Sequence, residues 1–477
     1  MNRTLLCLAQ TCAIASSTLL ASPSLTIYNQ NFAVVRDSVP LDLKAGLNEI
    51  RYGGATAHVE PDSVILRDPA DKIAFQILEQ DYRNDPVSQE LLLSFFEGKT
   101  IDFESVRMKD NTQVRCIIAG KILRSGYVPG AGSEQPVIEV DGKLQFTLPG
   151  LPLFPNLGDD TILKPSFNWR IQSARAVRFD AEIGYVTGGF SWEAAYNLVA
   201  PEKGNTVDWI GWITMNNQSG SAFRDARIKL MAGDVNKIEP QPRVMAMRVL
   251  GGAVMDKSVV TEKAFDEFHL YSLPHPATLR DHQTKQVEFV RAAGVIAPVI
   301  YVFDGSSANR FYGGVNNDPG YGREGNRKIM ITRELVNAES NHLGIALPKG
   351  KLRFYRRNDD GQLEFTGEDQ IDHTPRNETI RVTTGTSFDL TGERRQTDFR
   401  TDNAQKWMDE TFALKLRNRK KESVSIRVVE HLYRWSNWQI LEGSDAFKKT
   451  DAQTIEFRVT VRPDEEKVVT YKVHYSW

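Results

Sequence analysis

Phe412-Ala413-Leu414-Lys415-Leu416, Val424-Ser425-Ile426-Arg427-Val428-Val429 and Ile455-Glu456-Phe457-Arg458-Val459-Thr460-Val461-Arg462 each place an apolar side chain at every second position. That period belongs to an extended strand with one face buried, because successive side chains leave a strand on opposite sides. The first two flank a polar turn, which predicts a hairpin. The same pattern recurs upstream in Leu25-Thr26-Ile27-Tyr28-Asn29, Ala33 to Val39, Val64-Ile65-Leu66, Cys116 to Leu123, Trp209 to Thr214 and Ile228 to Gly233. Asp141-Gly142, between Val137-Ile138-Glu139-Val140 and Leu144-Gln145-Phe146, is a hairpin turn, and Asn358-Asp359-Asp360-Gly361 is another before Leu363-Glu364-Phe365. Strands joined by hairpins and not by crossover helices predict a mostly β chain of several antiparallel β-sandwich or small barrel-like domains.

One short helix interrupts this pattern. Asp85 is placed to cap it and Pro86 to start it, Leu91, Leu92, Phe95 and Phe96 share a face, and Gly98 ends it. The expected organisation is a leader over residues 1–21, an N-terminal β domain over 22–84, a small β-barrel-like domain with a leading helix over 85–170, and a C-terminal sandwich region over 171–477, as one sandwich or two packed together. Two long loops break the last region, at residues 240–254 and 304–326. The second is dense in Gly, Asn and Asp and reads as either mobile or a binding loop.

The chain has 477 residues, 41% hydrophobic and 25% charged, which is ordinary globular usage and excludes disordered and collagen-like classes. Its 59 basic and 61 acidic side chains give a net charge of −2, so no global field is present to hold a polyanion, and nucleic acid is not an expected partner. Residues 1–21 carry Arg3, an apolar run from Leu5 and small residues at Ala13, Ala15 and Ala21, the layout of a secretory signal peptide. Cleavage after Ala15 and after Ala21 both fit, and the second lies nearer the first strand. Two of the three cysteines fall in this leader. Cys116 then has no internal disulfide partner and reads as a buried apolar thiol. The apolar segment 292–303 is too short to span a bilayer as a helix, so no transmembrane helix is expected after leader removal.

Gly184-Tyr185-Val186-Thr187-Gly188-Gly189-Phe190-Ser191-Trp192-Glu193-Ala194-Ala195-Tyr196, then Asn217-Gln218-Ser219-Gly220, then Asp225 to Asp234, Tyr271-Ser272-Leu273, Leu347-Pro348-Lys349-Gly350, Gly367 to Pro375 and Tyr471 to Tyr475 follow in a distinctive order. In these segments the chain resembles the uncharacterised bacterial family catalogued as domain of unknown function 4139, distantly similar to mucoidy-inhibitor-type proteins. The resemblance implies a β-rich exported protein and carries no catalytic residue or cofactor with it. The long heptad segment of the mucoidy-inhibitor type is missing.

Several residue groups invite a chemical reading. Gly320-Tyr321-Gly322-Arg323-Glu324-Gly325 matches G-x-G-x-x-G, yet it lacks the strand before and helix after that aim amides at a pyrophosphate. No nucleophile elbow, H-E-x-x-H pair, Walker loop or C-x-x-C occurs, and no cofactor is expected. His269, His275 and His282 are spaced for a cross-strand zinc site only if the fold brings them together, and His373 beside Glu368, Asp369 and Asp372 reads as turn capping or as a proton relay. Asn316, Asn317 and Asp318, or Asp359 and Asp360, are oxygen donors without the alternating spacing of a calcium loop. The candidate binding surface comprises the aromatic group Tyr433, Trp435 and Trp438, a platform for sugar rings or core packing, and the cationic turn Arg419, Lys420 and Lys421.

Function is expected to be that of a non-enzymatic envelope structural or binding protein, with an unknown envelope protein or a glycan as partner. Two alternatives stand beside it. One is a hydrolase of glycans or peptides with a site assembled across strands, and the other an outer-membrane β-barrel, suggested by the alternating aromatic C-terminus Tyr471, Val473, Tyr475, Trp477. Short strands, the helix and the prolines at 149, 152 and 155 instead place the last strand inside a sandwich, its Tyr and Trp side chains buried.

Overall fold

The computed structural model describes residues 22–109, 112–128, 132–155, 162–233, 235–237, 261–265, 268–306, 314–323 and 325–477. The leader and the loop at 240–254 lie outside them. Among the described residues strands make up 63% and helix 3%, in antiparallel and mixed sheets with no closed barrel. Among the described residues no helix is long and apolar enough to cross a membrane. The chain divides into two compact units, one of residues up to 191 with 216–228 and 275–283, the other of 192–215, 229–274 and 284–477.

In the first unit, Phe32–Leu43 pairs along its length with Val177–Gly188, and Ser166–Ser173 lies between Gly46–Tyr52 and Phe75–Arg83. The helix Gln89–Phe95 begins later than the sequence suggests. Ser88 is its cap, its Oγ accepting from Leu91 N at 3.1 Å, while Asp85 takes an ion pair from Arg83. Leu93 and Phe96 cover one face of an open five-stranded sheet through Ile101, Phe103, Ile122 and Ile138. Asp141 and Gly142 both have positive φ (50° and 72°), as the predicted turn requires. Cys116 is half-exposed and not buried. It lies where its hairpin runs past the neighbouring strands, whose pairing reaches only Glu104 on one side and Lys121 on the other.

The second unit contains a five-stranded sheet in the order Gln283–Ile296, Thr206–Asn217, Phe190–Ala200, Gly350–Arg357, Leu363–Ile371. Segments quoted above for the family resemblance meet here. Tyr196 and Tyr271 are buried and donate to the carbonyls of Pro348 (2.6 Å) and Ala346 (3.0 Å), and Trp192 lies against Tyr271. Phe190–Ala200 and Gly350–Arg357 run parallel, and a Cβ at Gly350 would stand 2.4 Å from the Ala194 carbonyl oxygen, so only glycine allows this approach.

The rest forms a nine-stranded sheet folded over one core. Its order is Trp438–Gly443, Glu466–Ser476, Trp407–Asn418, Thr379–Asp402, Lys328–Val336, Val299–Asp304, Val424–His431, Thr454–Val461, Phe447–Lys449. The predicted hairpin between 412–416 and 424–429 is not formed. Trp407–Asn418 pairs with Thr379–Asp402 and Glu466–Ser476, whereas Val424–His431 pairs in parallel with Val299–Asp304, so the polar turn carries the chain across the core. Thr379–Asp402 makes the fold by pairing with Lys328–Val336 through its first half and with Trp407–Asn418 through its second. Leu414, Leu416 and Val469 from one limb meet Ile426, Val428, Phe457 and Val459 from the other. Tyr471 and Tyr475 of the last strand are buried in this core, with Trp477 packed at its edge.

Buried asparagines staple the strand ends. Asn337 is fully buried, donates to the carbonyls of Ile345 (2.6 Å) and Pro375 (2.9 Å) and accepts from Gly344 N at 3.0 Å. Replacing it by alanine strands these backbone groups in the interior. Asn337→Ala is expected to cost about 3 kcal/mol in urea unfolding, since each orphaned buried polar group costs roughly 1–3 kcal/mol. A loss below about 0.5 kcal/mol, the size of an ordinary surface change, would show the staple to be dispensable.

Candidate functional site

Period-two alternation in the nine-stranded sheet delivers charge as well as hydrocarbon to the core. Glu410 shares the inward face with Met408, Phe412, Leu414 and Leu416, and Glu430 follows Ile426 and Val428. Both are buried, at 3% and 0% exposure, and an isolated carboxylate there would cost many kcal/mol. Each meets a buried guanidinium. Arg394 Nε lies 2.9 Å from Glu430 Oε2, and Arg434 Nε 2.8 Å from Glu410 Oε2. Tyr471 donates its hydroxyl to Glu430, and Gln396 Nε2 donates to Glu410 Oε1 at 2.7 Å. The Arg394 guanidinium also lies 3.8 Å from the centre of the Phe412 ring.

Electrostatics follow from these contacts. Burial works against the Arg394 charge, but Glu430, joined by Tyr471 and Glu410, outweighs it and holds the pKa above the ordinary arginine value. Burial raises the Glu410 carboxyl, and Arg434 and Gln396 pull it back. Burial, reinforced by Glu430, raises the Tyr471 phenol and so keeps its proton for donation. Losing one member of such a pair typically costs about 3–5 kcal/mol, because the other is left buried and unpaired.

The same two arginines hold the Gly/Asn-rich loop. Arg434 donates to the carbonyls of Asn316 (3.0 Å), Asp318 (2.7 Å) and Tyr321 (2.9 Å), and Arg394 to that of Gly322 (2.6 Å). Gly322 thus presents a carbonyl to a cation where a nucleotide loop would present amides to a phosphate. Asn316 Oδ1 and Asp318 Oδ1 accept from backbone amides two residues on, as does Asp360 Oδ1 in the second proposed calcium cluster. Residues 307–313 and Glu324 lie outside the described residues. Between loop and sheet remains a cavity of about 10 Å³, room for one water, lined by Tyr321, Arg394, Glu410, His431, Arg434 and Tyr475.

His431 stands at its margin. Its Nε2 is 2.9 Å from Asp304 Oδ2, its Nδ1 is 3.3 Å from Thr454 Oγ1, and its ring stacks on Tyr433 at 4.8 Å. The bond to Asp304 raises the imidazole above its usual 6.5 against the opposing effect of burial, with Glu430 and Asp451 adding to the rise.

The two candidate surface groups lie at opposite ends of the strand Val424–His431, roughly 25 Å apart at about 3.3 Å per residue. The strand ends at His431, so Tyr433 and Trp435 sit in a turn and the expected strand-face alternation does not apply. Trp435 and Trp438 pack on the core, Trp438 donates to the Ala452 carbonyl at 2.9 Å, and the buried Arg434 lies between Tyr433 and Trp435 in sequence. In the cationic turn, Arg419 donates to the Asp464 carbonyl at 3.2 Å, Lys420 folds onto Tyr301, and Lys421 is exposed. His373 accepts from Lys349 N at 3.1 Å, and His282 pairs with Asp281. Among the described residues no three His, Cys, Asp or Glu side chains gather as a metal site.

No family model matches the chain, and no curated protein matches it.

The His431–Asp304 pair makes stability depend on pH with a defined sign. A histidine whose folded pKa is raised contributes fully below its unfolded value of about 6.5 and loses that contribution as pH rises through the folded value. Melting temperatures from pH 5.5 to 8.5 should therefore fall more steeply for the native chain than for Asp304→Asn. Parallel curves would show that the pair contributes no proton linkage.

Proposed function

We propose that this chain is an exported β-rich protein of the bacterial envelope that acts by binding or scaffolding and not by catalysis. One observation carries the choice between those modes. The charges of the buried cluster neutralise one another or fix the backbone of residues 316–322, and the remaining space admits one water. A hydrolase needs its charged groups facing room for a substrate. The leader pattern in residues 1–21 and the resemblance to the domain of unknown function 4139 family support export, and the aromatic turn with Tyr433, Trp435 and Trp438 is the surface proposed to meet a protein or glycan of the envelope.

A hydrolase remains the second reading because His431 bridges Asp304 and Thr454 Oγ1, the order of a base between an orienting acid and a hydroxyl. Thr454, however, is 6% exposed and paired within the sheet, out of reach of a substrate. The native protein is expected outside the cytoplasm with a mature N-terminus at Ser22, determined by sequencing the purified chain. A start at Met1 would remove the export proposal. Turnover in a broad glycosidase and peptidase screen, abolished by His431→Ala in a folded protein, would replace scaffolding with catalysis.

A further inference from the structure

Arg333 is a buried cation without a counter-ion. It lies on the apolar face of Lys328–Val336, is 6% exposed, and its Nη1 donates to the Ala297 carbonyl at 2.6 Å. No carboxylate pairs with it among the described residues. Glu334, next in sequence, points to the opposite face and is taken by Arg381 and Arg427 at 2.6 and 2.7 Å. An uncompensated buried guanidinium is costly, and every other deeply buried charge described above has its partner.

Further cationic groups surround it. Tyr301 is paired across the sheet with Ile331, which places its side chain on the same face as Arg333. Lys420 Nζ donates to the Tyr301 hydroxyl at 2.7 Å and lies 4.8 Å from its ring centre, so the phenolic proton is left to be given elsewhere. Arg356 is near enough that its charge, after burial, helps push Arg333 down to about 10. Its cross-strand neighbour Glu364 is exposed and forms no ion pair among the described residues. Arg333, the Tyr301 hydroxyl and Lys420 therefore follow one another on this face, and the charge of Arg356 acts on Arg333.

We propose that Arg333, Arg356, Lys420 and the Tyr301 hydroxyl form a binding site for a phosphate-type oxyanion. A planar guanidinium presents paired donors to such a group, and three positive charges suit a dianion better than a carboxylate. The site is independent of where the protein resides. Lys420 is one of the three cations of the turn 419–421, and it is the one turned inward.

Calorimetric titration and thermal melting of the full chain with inorganic phosphate, glycerol 3-phosphate and acetate, each at constant ionic strength against sodium chloride, test this. Saturable binding and a raised melting temperature are expected with phosphate, and little with acetate. Response to glycerol 3-phosphate as well marks a phosphate monoester ligand, and response to phosphate alone marks the free ion. Arg356→Gln and Lys420→Gln should each weaken binding by about tenfold or more, the worth of one charge-assisted hydrogen bond, and Lys448→Gln, on the exposed edge strand Phe447–Lys449, should leave it unchanged. Arg333→Met should abolish the phosphate response and raise the melting temperature in phosphate-free buffer. Binding that is absent, matched by chloride, or equal in the native chain and all these variants would mean an adventitious ion only and overturn the site. So would an Arg333→Met protein that melts lower yet keeps its phosphate response.

Discussion

A charge inside a β-sandwich must be paired in place or the sandwich does not close, and in the nine-stranded sheet this condition falls on Glu410 and Glu430. Both occupy inward positions between large hydrocarbons, where solvation is lost and neutralisation by protonation is the alternative to pairing. Arg394 reaches Glu430 from the second half of the long strand Thr379–Asp402, and Arg434 reaches Glu410 from the turn that follows Val424–His431. The two pairs tie one limb of the folded sheet to the other. Their remaining guanidinium donors take the carbonyls of the loop at 316–322. Fold closure and loop conformation are in this way one electrostatic problem with one solution.

Such a network specifies more than it stabilises. Two ion pairs replaced by well-packed hydrocarbon often leave a protein as stable or more so, whereas a half-pair is severely destabilising. The directional content is what hydrocarbon lacks. Four carbonyl acceptors at 2.6–3.0 Å fix where the loop lies, and Phe412, Phe399 and Tyr321 fix the guanidinium planes. A loop rich in Gly and Asn has little side-chain packing with which to hold a conformation, so backbone carbonyls on fixed cations are an effective substitute. The closed arrangement lets this cluster, dense in ionisable groups, act as a strut for the loop.

Much of the fold was legible because strand periodicity is local. The alternating runs at 412–416, 424–429 and 455–462 are all strands, the Asp141-Gly142 turn adopts the two positive φ angles its sequence implies, and the C-terminal tyrosines are buried. Pairing partners were less legible, because they are set by distant chain. The polar turn after Asn418 looks like a hairpin, and it instead crosses between limbs since Val424–His431 finds a parallel partner in Val299–Asp304. The buried charges left a sequence signal that motif searching passes over, namely Glu410, Glu430 and Arg333 standing at apolar-phase positions of otherwise regular strands. Arg434 left none, since it follows the last strand residue in a turn. Attention to Trp435 and Trp438 located that turn by its aromatics, while Arg434, the residue just before Trp435, carries the contact on which the loop depends.

If the buried arginines fix the loop, its backbone should lose order when one of them is removed while the rest of the sheet keeps its own. Native-state hydrogen exchange of Arg434→Gln against the native chain measures this directly at the amides of Asn316, Tyr321 and Arg323, which bond at 3.0, 3.1 and 3.3 Å to Arg434 O, Asp318 O and Gly320 O. The account predicts that protection at these amides collapses, while amides of the strands Lys328–Val336 and Thr454–Val461 exchange only as fast as the lower global stability demands. Unchanged protection across 316–323, or a loss spread evenly over the whole sheet, would contradict it.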